Sequence, residues 1–272
     1  MNIPQELIDK IIDEVWDADD SPYHTTTKAV SLISRAWVER SQHHLFHDVQ
    51  FSVHYDVELS VHCDDFLHWC DTVSPGPDGL SRHVRSLTIE AREWDGWWIG
   101  EELLERGLPF FDSFRNVRVL RVQYWDINPF HPEVLTRCFA PFSGTVRVLQ
   151  WDPYVGITRE SWTRVVRFFP LVDCLLLKPK YFPTGLLSNT PPGPTQKKLV
   201  LSGNRAIQCL TWDGGNLRFR EIYIKCGPHT TLETLVAIFS REVDRLEVLS
   251  IAGIGNSWSF SVLRFLILNP LL

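Results

Sequence analysis

Val84-Arg85-Ser86-Leu87-Thr88-Ile89 begins with an apolar residue, places a second three positions on and a third two beyond that. The same apolar-x-x-apolar-x-apolar spacing returns as Val117-x-x-Leu120-x-Val122, Val146-x-x-Leu149-x-Trp151 and Val172-x-x-Leu175-x-Leu177. It recurs as Ile207-x-x-Leu210-x-Trp212, Phe219-x-x-Ile222-x-Ile224 and Leu246-x-x-Leu249-x-Ile251, with a weaker copy at Leu199-x-Leu201. Three copies open almost identically, as Val84-Arg85, Val117-Arg118 and Val146-Arg147. The central residues 87, 120, 149 and 175 lie 33, 29 and 26 apart, and 222 and 249 lie 27 apart. Alternating apolar residues mark strands, and a period of roughly 20–30 residues marks stacked supersecondary units.

The stretches between the copies read as helices. Gly100–Phe114 carries Leu103, Leu104, Phe110 and Phe111, and Pro132–Phe142 carries Val134, Leu135, Cys138 and Phe139. A third runs from Thr158 through Trp162, Val165, Val166 and Phe169 to Pro170, and a fourth from Thr230 to Val243. Strand then helix, repeated, predicts an α/β chain in which a parallel sheet lines one side and helices cover the other. Two places break the period. The gaps 199–210 and 210–222 are too short for a packed helix, so those strands are joined by bare turns or paired antiparallel, with Asp213-Gly214-Gly215-Asn216 suited to a tight turn. Thr190-Pro191-Pro192-Gly193-Pro194 reads as an exposed loop. No polar cap follows the last copy, so either the array is incomplete at its C-terminal end or the tail packs back on the convex side.

Ahead of the repeats, residues 3–49 have a different grammar. Leu7, Ile8, Ile11, Ile12, Val15 and Trp16 fall on one side of a helix turning every ~3.6 residues, with Pro4 and Glu6 suited to its first turn. An acidic break follows from Asp17 to Pro22, and Thr25, Thr26 and Thr27 offer capping hydroxyls to a second helix with Ala29, Val30, Leu32, Ile33, Ala36 and Trp37. The segment closes on His43-His44-Leu45-Phe46-His47. Gln50–Val61 then alternates as a strand, His62–Val73 reads as a helix, and Ser74–Gly79 as a loop.

The order Ile3-Pro4-x-Glu6-Leu7-Ile8, then Leu32-Ile33-Ser34-Arg35-x-Trp37, then Leu45-Phe46 resembles an F-box. In form it is similar to the basidiomycete-type fungal F-box-like proteins, in which irregular leucine-rich repeats follow the F-box. The resemblance covers about residues 3–50, with Ile3 in place of the usual leucine and an unusually long, acidic link from Asp17 to His24. It implies a three-helix F-box module over residues 1–50 and a leucine-rich-repeat-like solenoid over 51–272. It further implies docking on the Skp-type adaptor, and through it the cullin, of a ubiquitin ligase, with the repeats taking a protein substrate. Short helices cannot bury all their apolar residues among themselves. Under the resemblance Ile3, Pro4, Leu7, Ile8, Ile11, Val30, Ile33 and Trp37 are the candidate adaptor contacts, some of which must instead hold the three helices together. The alternative is a repeat scaffold that binds a protein without a ligase role, its N-terminal helices acting only as a cap. Whether Leu7 and Ile11 face solvent or the repeats separates the two.

Composition narrows the remaining classes. A net charge of −6, from 27 basic and 33 acidic residues, argues against a nucleic-acid partner. The start lacks the basic and continuous apolar regions of a signal peptide, and no apolar run nears the ~20 residues of a membrane helix. The expectation is a soluble, intracellular protein, cytoplasmic or nuclear. The six cysteines form no C-x-x-C pair and read as buried thiols. His62, Cys63, His68 and Cys70 lack a second ligand pair, and Gly253-Ile254-Gly255 lacks the remainder of a phosphate loop. No nucleophile elbow or carboxylate pair stands out, so the chain reads as non-catalytic, without metal or cofactor. Trp94, Trp97 and Trp98, with Tyr124, lie after strands where solenoid loops project, and are the candidate substrate contacts. For the three tryptophans, core filling and surface display stay open. Trp125, Trp151 and Trp212 would either extend such an aromatic surface or fill the core, and alternation favours the core for Trp151 and Trp212.

Overall fold

The structure, a computed structural model, describes residues 3–19, 24–54, 79–92, 111–125, 131–152, 164–165, 167–178, 197–203, 220–226 and 248–253. Three helices come first: α1 (Gln5–Ala18), α2 (Thr25–Ser31) and α3 (Arg35–Leu45). Eight strands follow: β1 (Asp48–His54), β2 (Ser86–Arg92), β3 (Val119–Gln123), β4 (Val148–Asp152), β5 (Cys174–Leu177), β6 (Lys198–Gly203), β7 (Glu221–Cys226) and β8 (Val248–Gly253). They form one sheet in chain order, every neighbouring pair parallel.

The spacing in the repeated motif has a local cause. Plain alternation would put core residues at every second position, yet Val84 and Leu87 are three apart and both fully buried. At the start of each rung one carbonyl accepts two consecutive N–H groups of the next chain segment. Arg118 and Val119 both donate to the Arg85 carbonyl, at 2.8 and 3.0 Å. Arg147 and Val148 do the same on Arg118, Asp173 and Cys174 on Arg147, Lys197 and Lys198 on Asp173, and Arg220 and Glu221 on Lys197. These paired donors mark a backbone bulge shared by every rung from β2 to β7, so neighbouring strands stay paired one to one while the side-chain phase shifts by one residue. The shift turns position 85 and its equivalents outward and returns Leu87 to the core.

Beyond that point the register is strict. Val49, Leu87, Leu120, Leu149, Leu175, Leu199, Ile222 and Leu249 form one row across the sheet, and Phe51, Ile89, Val122, Trp151, Leu177, Leu201, Ile224 and Ile251 another. From β2 to β7 both rows are buried. The first rung carries the repeat spacing in Phe46-x-x-Val49-x-Phe51, ahead of the start at Gln50 expected from alternation. It begins at Asp48, because the His47 carbonyl takes the N–H groups of Arg85 and Ser86.

The helical side is described best between β3 and β4. Helix α4 (Pro132–Phe139) runs into a 3-10 turn at Ala140–Phe142 and buries Leu135, Cys138, Phe139 and Phe142. Phe139 packs at ring-centroid distances of 5.8 Å from Trp125, 6.1 Å from Trp151 and 5.6 Å from Phe169. Trp125 and Trp151 are thus core residues, so of the two alternatives left open for them core filling is the one observed. Burial pushes the Cys138 thiol up to about 12 and raises that of half-buried Cys174.

The expected antiparallel or bare-turn pairing around residues 199–222 is overturned. β6 bonds directly to β7 and runs parallel to it, with Leu199 opposite Ile222. The chain between Gly203 and Glu221 is long enough for the dozen or so residues of a parallel crossover. No strand stands between β6 and β7; Ile207–Trp212 lies outside the described residues, as do the expected helices at 62–73 and 230–243 and the loop at 190–194.

Candidate functional site

The three N-terminal helices pack on one another around Ile8 and Ile12, which are buried. Asp13 on α1 accepts from Arg40 on α3 through both carboxylate oxygens, at 2.7 and 2.8 Å. His44 Nε2 lies 2.6 Å from the same carboxylate. The Arg40 guanidinium, against the opposing effect of burial and with added help from the His44 ring, holds the Asp13 carboxyl down to about 2. Within their own helix and the turn after it, His44 and His47 have no carboxylate at helical spacing to join them both. Asp13 supplies one for His44, from another helix, where sequence spacing carries no signal. His44 also stacks on Trp16, whose ring carries His24 at 4.0 Å.

Two local expectations are corrected. The amides at the start of α2 are met by Asp19, from the acidic break, rather than by the threonine hydroxyls. Its Oδ2 accepts from Thr26 N at 3.1 Å and Thr27 N at 3.2 Å, and a carboxylate suits the positive end of a helix. The second helix also ends at Ser31 instead of running to Trp37. Ser31 Oγ donates to the Lys28 carbonyl at 2.6 Å, and Ser34 adopts an extended backbone from which α3 starts. Leu32 and Ile33 therefore sit on the turn between two helices.

That turn and the outer stripe of α1 define the site. Ile3, Leu7 and Ile11 follow one another at i, i+4 and i+8, and are 54, 52 and 41% exposed; Leu32 is 86% and Ile33 62% exposed. Gln5 Nε2 donates to the Ala36 carbonyl at 2.9 Å, seating the first turn of α1 against the first turn of α3 beside Ile33. Pro4 is exposed as well, at the N-cap of α1. Of the eight candidate adaptor contacts, Ile3, Pro4, Leu7, Ile11 and Ile33 are free. Ile8 is internal, and Val30 and Trp37 are half-buried. Leu32, the most exposed, was not among the candidates, although Ser34 as a helix start would have placed it in a turn.

The substrate-contact candidates fare differently. Trp94, Trp97 and Trp98 lie outside the described residues. Tyr124 is half-buried just past β3, in the left-handed backbone region at φ 60°, with its N–H donating to the Asp152 carbonyl at 2.6 Å. Among the described residues no group of three or more His, Cys, Asp or Glu side chains is placed to hold a metal ion. No described helix is long and apolar enough to cross a membrane. The chain matches no protein-family model and no curated protein.

Proposed function

We propose that this chain is the substrate-recognition subunit of a Skp–cullin–F-box type ubiquitin ligase. Its α1–α3 module is an F-box docked on the Skp-type adaptor, and its sheet belongs to an irregular leucine-rich-repeat solenoid that carries a protein substrate. The observation that supports this most is the direction of Leu7 and Ile11. They point to solvent, while Ile8 and Ile12, one step round the same helix, hold the module together. A helix that served only as a cap on the repeats would turn its second apolar stripe inward. Each Leu or Ile buried in full adds about 1.5–3 kcal/mol, so a partner that completes the burial of Ile3, Leu7, Ile11, Leu32 and Ile33 gains a large share of a micromolar affinity.

The subunit performs no chemistry in this reading. It holds the adaptor at one end and a substrate along the repeats, raising the effective concentration of substrate lysines near the conjugating enzyme. The deciding experiment is co-purification of the full chain with a Skp-type adaptor, comparing the native sequence with Leu7→Asp/Ile11→Asp. A one-to-one complex with the native chain, lost in a variant of unchanged thermal stability, supports the assignment. A folded native chain that leaves the adaptor unbound overturns it in favour of a repeat scaffold. Self-association abolished by the same variant would assign the face to a second copy.

A further inference from the structure

The bulge that opens each rung places one outward side chain per strand at the same edge of the sheet. From β2 to β7 those positions are Arg85, Arg118, Arg147, Asp173, Lys197 and Arg220. Five of the six are basic, in a chain whose net charge is −6. Their backbones form a hydrogen-bonded column, with each N–H donating to the preceding carbonyl at 2.8–3.0 Å. Strand spacing of about 4.8 Å makes this a single file roughly 24 Å long. Arg118, Arg147, Lys197 and Arg220 are exposed. Among the described residues Arg85 and Arg147 spend their guanidinium bonds on carbonyls, those of Arg82 and Leu171. Arg118 has no carboxylate partner among those residues, and Asp173 meets Lys197 at 3.8 Å. Such a row is not needed to hold the rungs, since the bulge uses only backbone atoms, and like charges in file repel one another.

We propose that this ridge is a docking surface for an extended acidic peptide segment of a partner protein. An extended chain about seven residues long spans the file, and the long Arg and Lys side chains absorb the difference between strand spacing and peptide repeat. A nucleic-acid duplex fits less well, because the file is one residue wide and carries Asp173 in its middle. A single strand would want aromatic stacking platforms, and the six positions hold none. The inference does not rest on the adaptor reading.

The test uses the full chain and a fluorescein-labelled twelve-residue polyglutamate peptide, followed by anisotropy at about 20 and 150 mM salt. The native protein is expected to bind the peptide, more weakly at the higher salt, and to leave a Gly-Ser peptide unbound. Arg118→Glu/Arg147→Glu/Lys197→Glu is expected to lose about tenfold or more in affinity. Lys10→Glu/Lys28→Glu/Arg35→Glu, which changes net charge equally on the helical module, is expected to keep it. No binding by the native chain, or equal binding by the ridge variant, overturns the proposal. So does tighter, ridge-dependent binding of a 20-base-pair DNA duplex. Adaptor co-purification of the ridge variant keeps this outcome separate from the fate of the ligase reading.

Discussion

Asp13 illustrates how one side chain ties two helices. Its carboxylate takes both forks of Arg40 as well as His44, and its side chain is still 39% exposed. Solvent screening reduces the contribution of such a pair to about 1 kcal/mol. Because its carboxyl is held down to about 2 from an ordinary 3.8, the contribution is present above the ordinary value and fades as pH falls toward 2. Asp13→Asn is expected to lower stability by about 1 kcal/mol at pH 7, with the gap closing near pH 2, in urea titrations of both proteins. A gap independent of pH would mean that the packing, not the charge, matters.

The histidines behind this clamp act in another range. His43 and His83 meet edge to face at 5.9 Å between α3 and the turn before β2, and Arg82 Nε donates to His83 Nε2 at 3.1 Å. Burial, then the nearby cations, lowers the proton affinity of both rings. A folded-state value below the unfolded one means that stability is complete above about 6.5 and is lost as pH falls below it. Thermal denaturation between pH 7.5 and 5 is expected to show a falling Tm, flattened in His43→Gln/His83→Gln.

At the scale of the element, the bulge decides which residues count. Leu149 is internal and Val148, beside it, stands half-buried on the other face of β4. Leu149→Ala is expected to cost about 2–5 kcal/mol in denaturant titration, and Val148→Ala well under half of that. Similar costs at both positions would contradict the register. The repeat was legible because every rung but β6, where Gln196 takes the first place, has the same three apolar positions. What the reading missed has physical causes. Phe46 and Val49 read with the closing helical segment and only Phe51 with the strand, since a rung and a closing helix share their apolar residues there. The end of α2 depends on Ser31 and Ser34, which are compatible with both a helix interior and a break. The cap at Asp19 reaches forward seven and eight residues to Thr26 and Thr27, beyond the usual local window. In the candidate site, helix periodicity put Leu7, Ile8, Ile11 and Ile12 on one side of the first helix, and Ile3 came from the resemblance. Periodicity alone did not say that Ile8 turns inward, because both stripes satisfy it.

On the scale of the whole molecule, the joint between module and sheet is short. α3 ends at Leu45 and β1 starts at Asp48. Between them His47 offers its carbonyl to Arg85 and Ser86 at 2.9 and 3.0 Å, so the first rung is built from the end of the helical module. Glu39 adds a 3.4 Å pair to Arg82, exposed and worth little by itself. Elements that share a rung unfold together, because opening the first removes the edge on which the second is paired. A single denaturant transition, coincident by tryptophan fluorescence and far-ultraviolet circular dichroism, is therefore expected for the native chain. Inserting a ten-residue Gly-Ser linker between Phe46 and His47 is expected to split it in two, the helical module melting first. The linker leaves every side chain of the exposed apolar face in place, so adaptor capture should survive. If the chain is the ligase subunit proposed above, transfer to a bound substrate should fall, because a flexible joint spreads the substrate over a larger volume and lowers its effective concentration at the conjugating enzyme. Two transitions in the native chain, or unchanged transfer across the linker, would show that the joint does not act as a rigid frame.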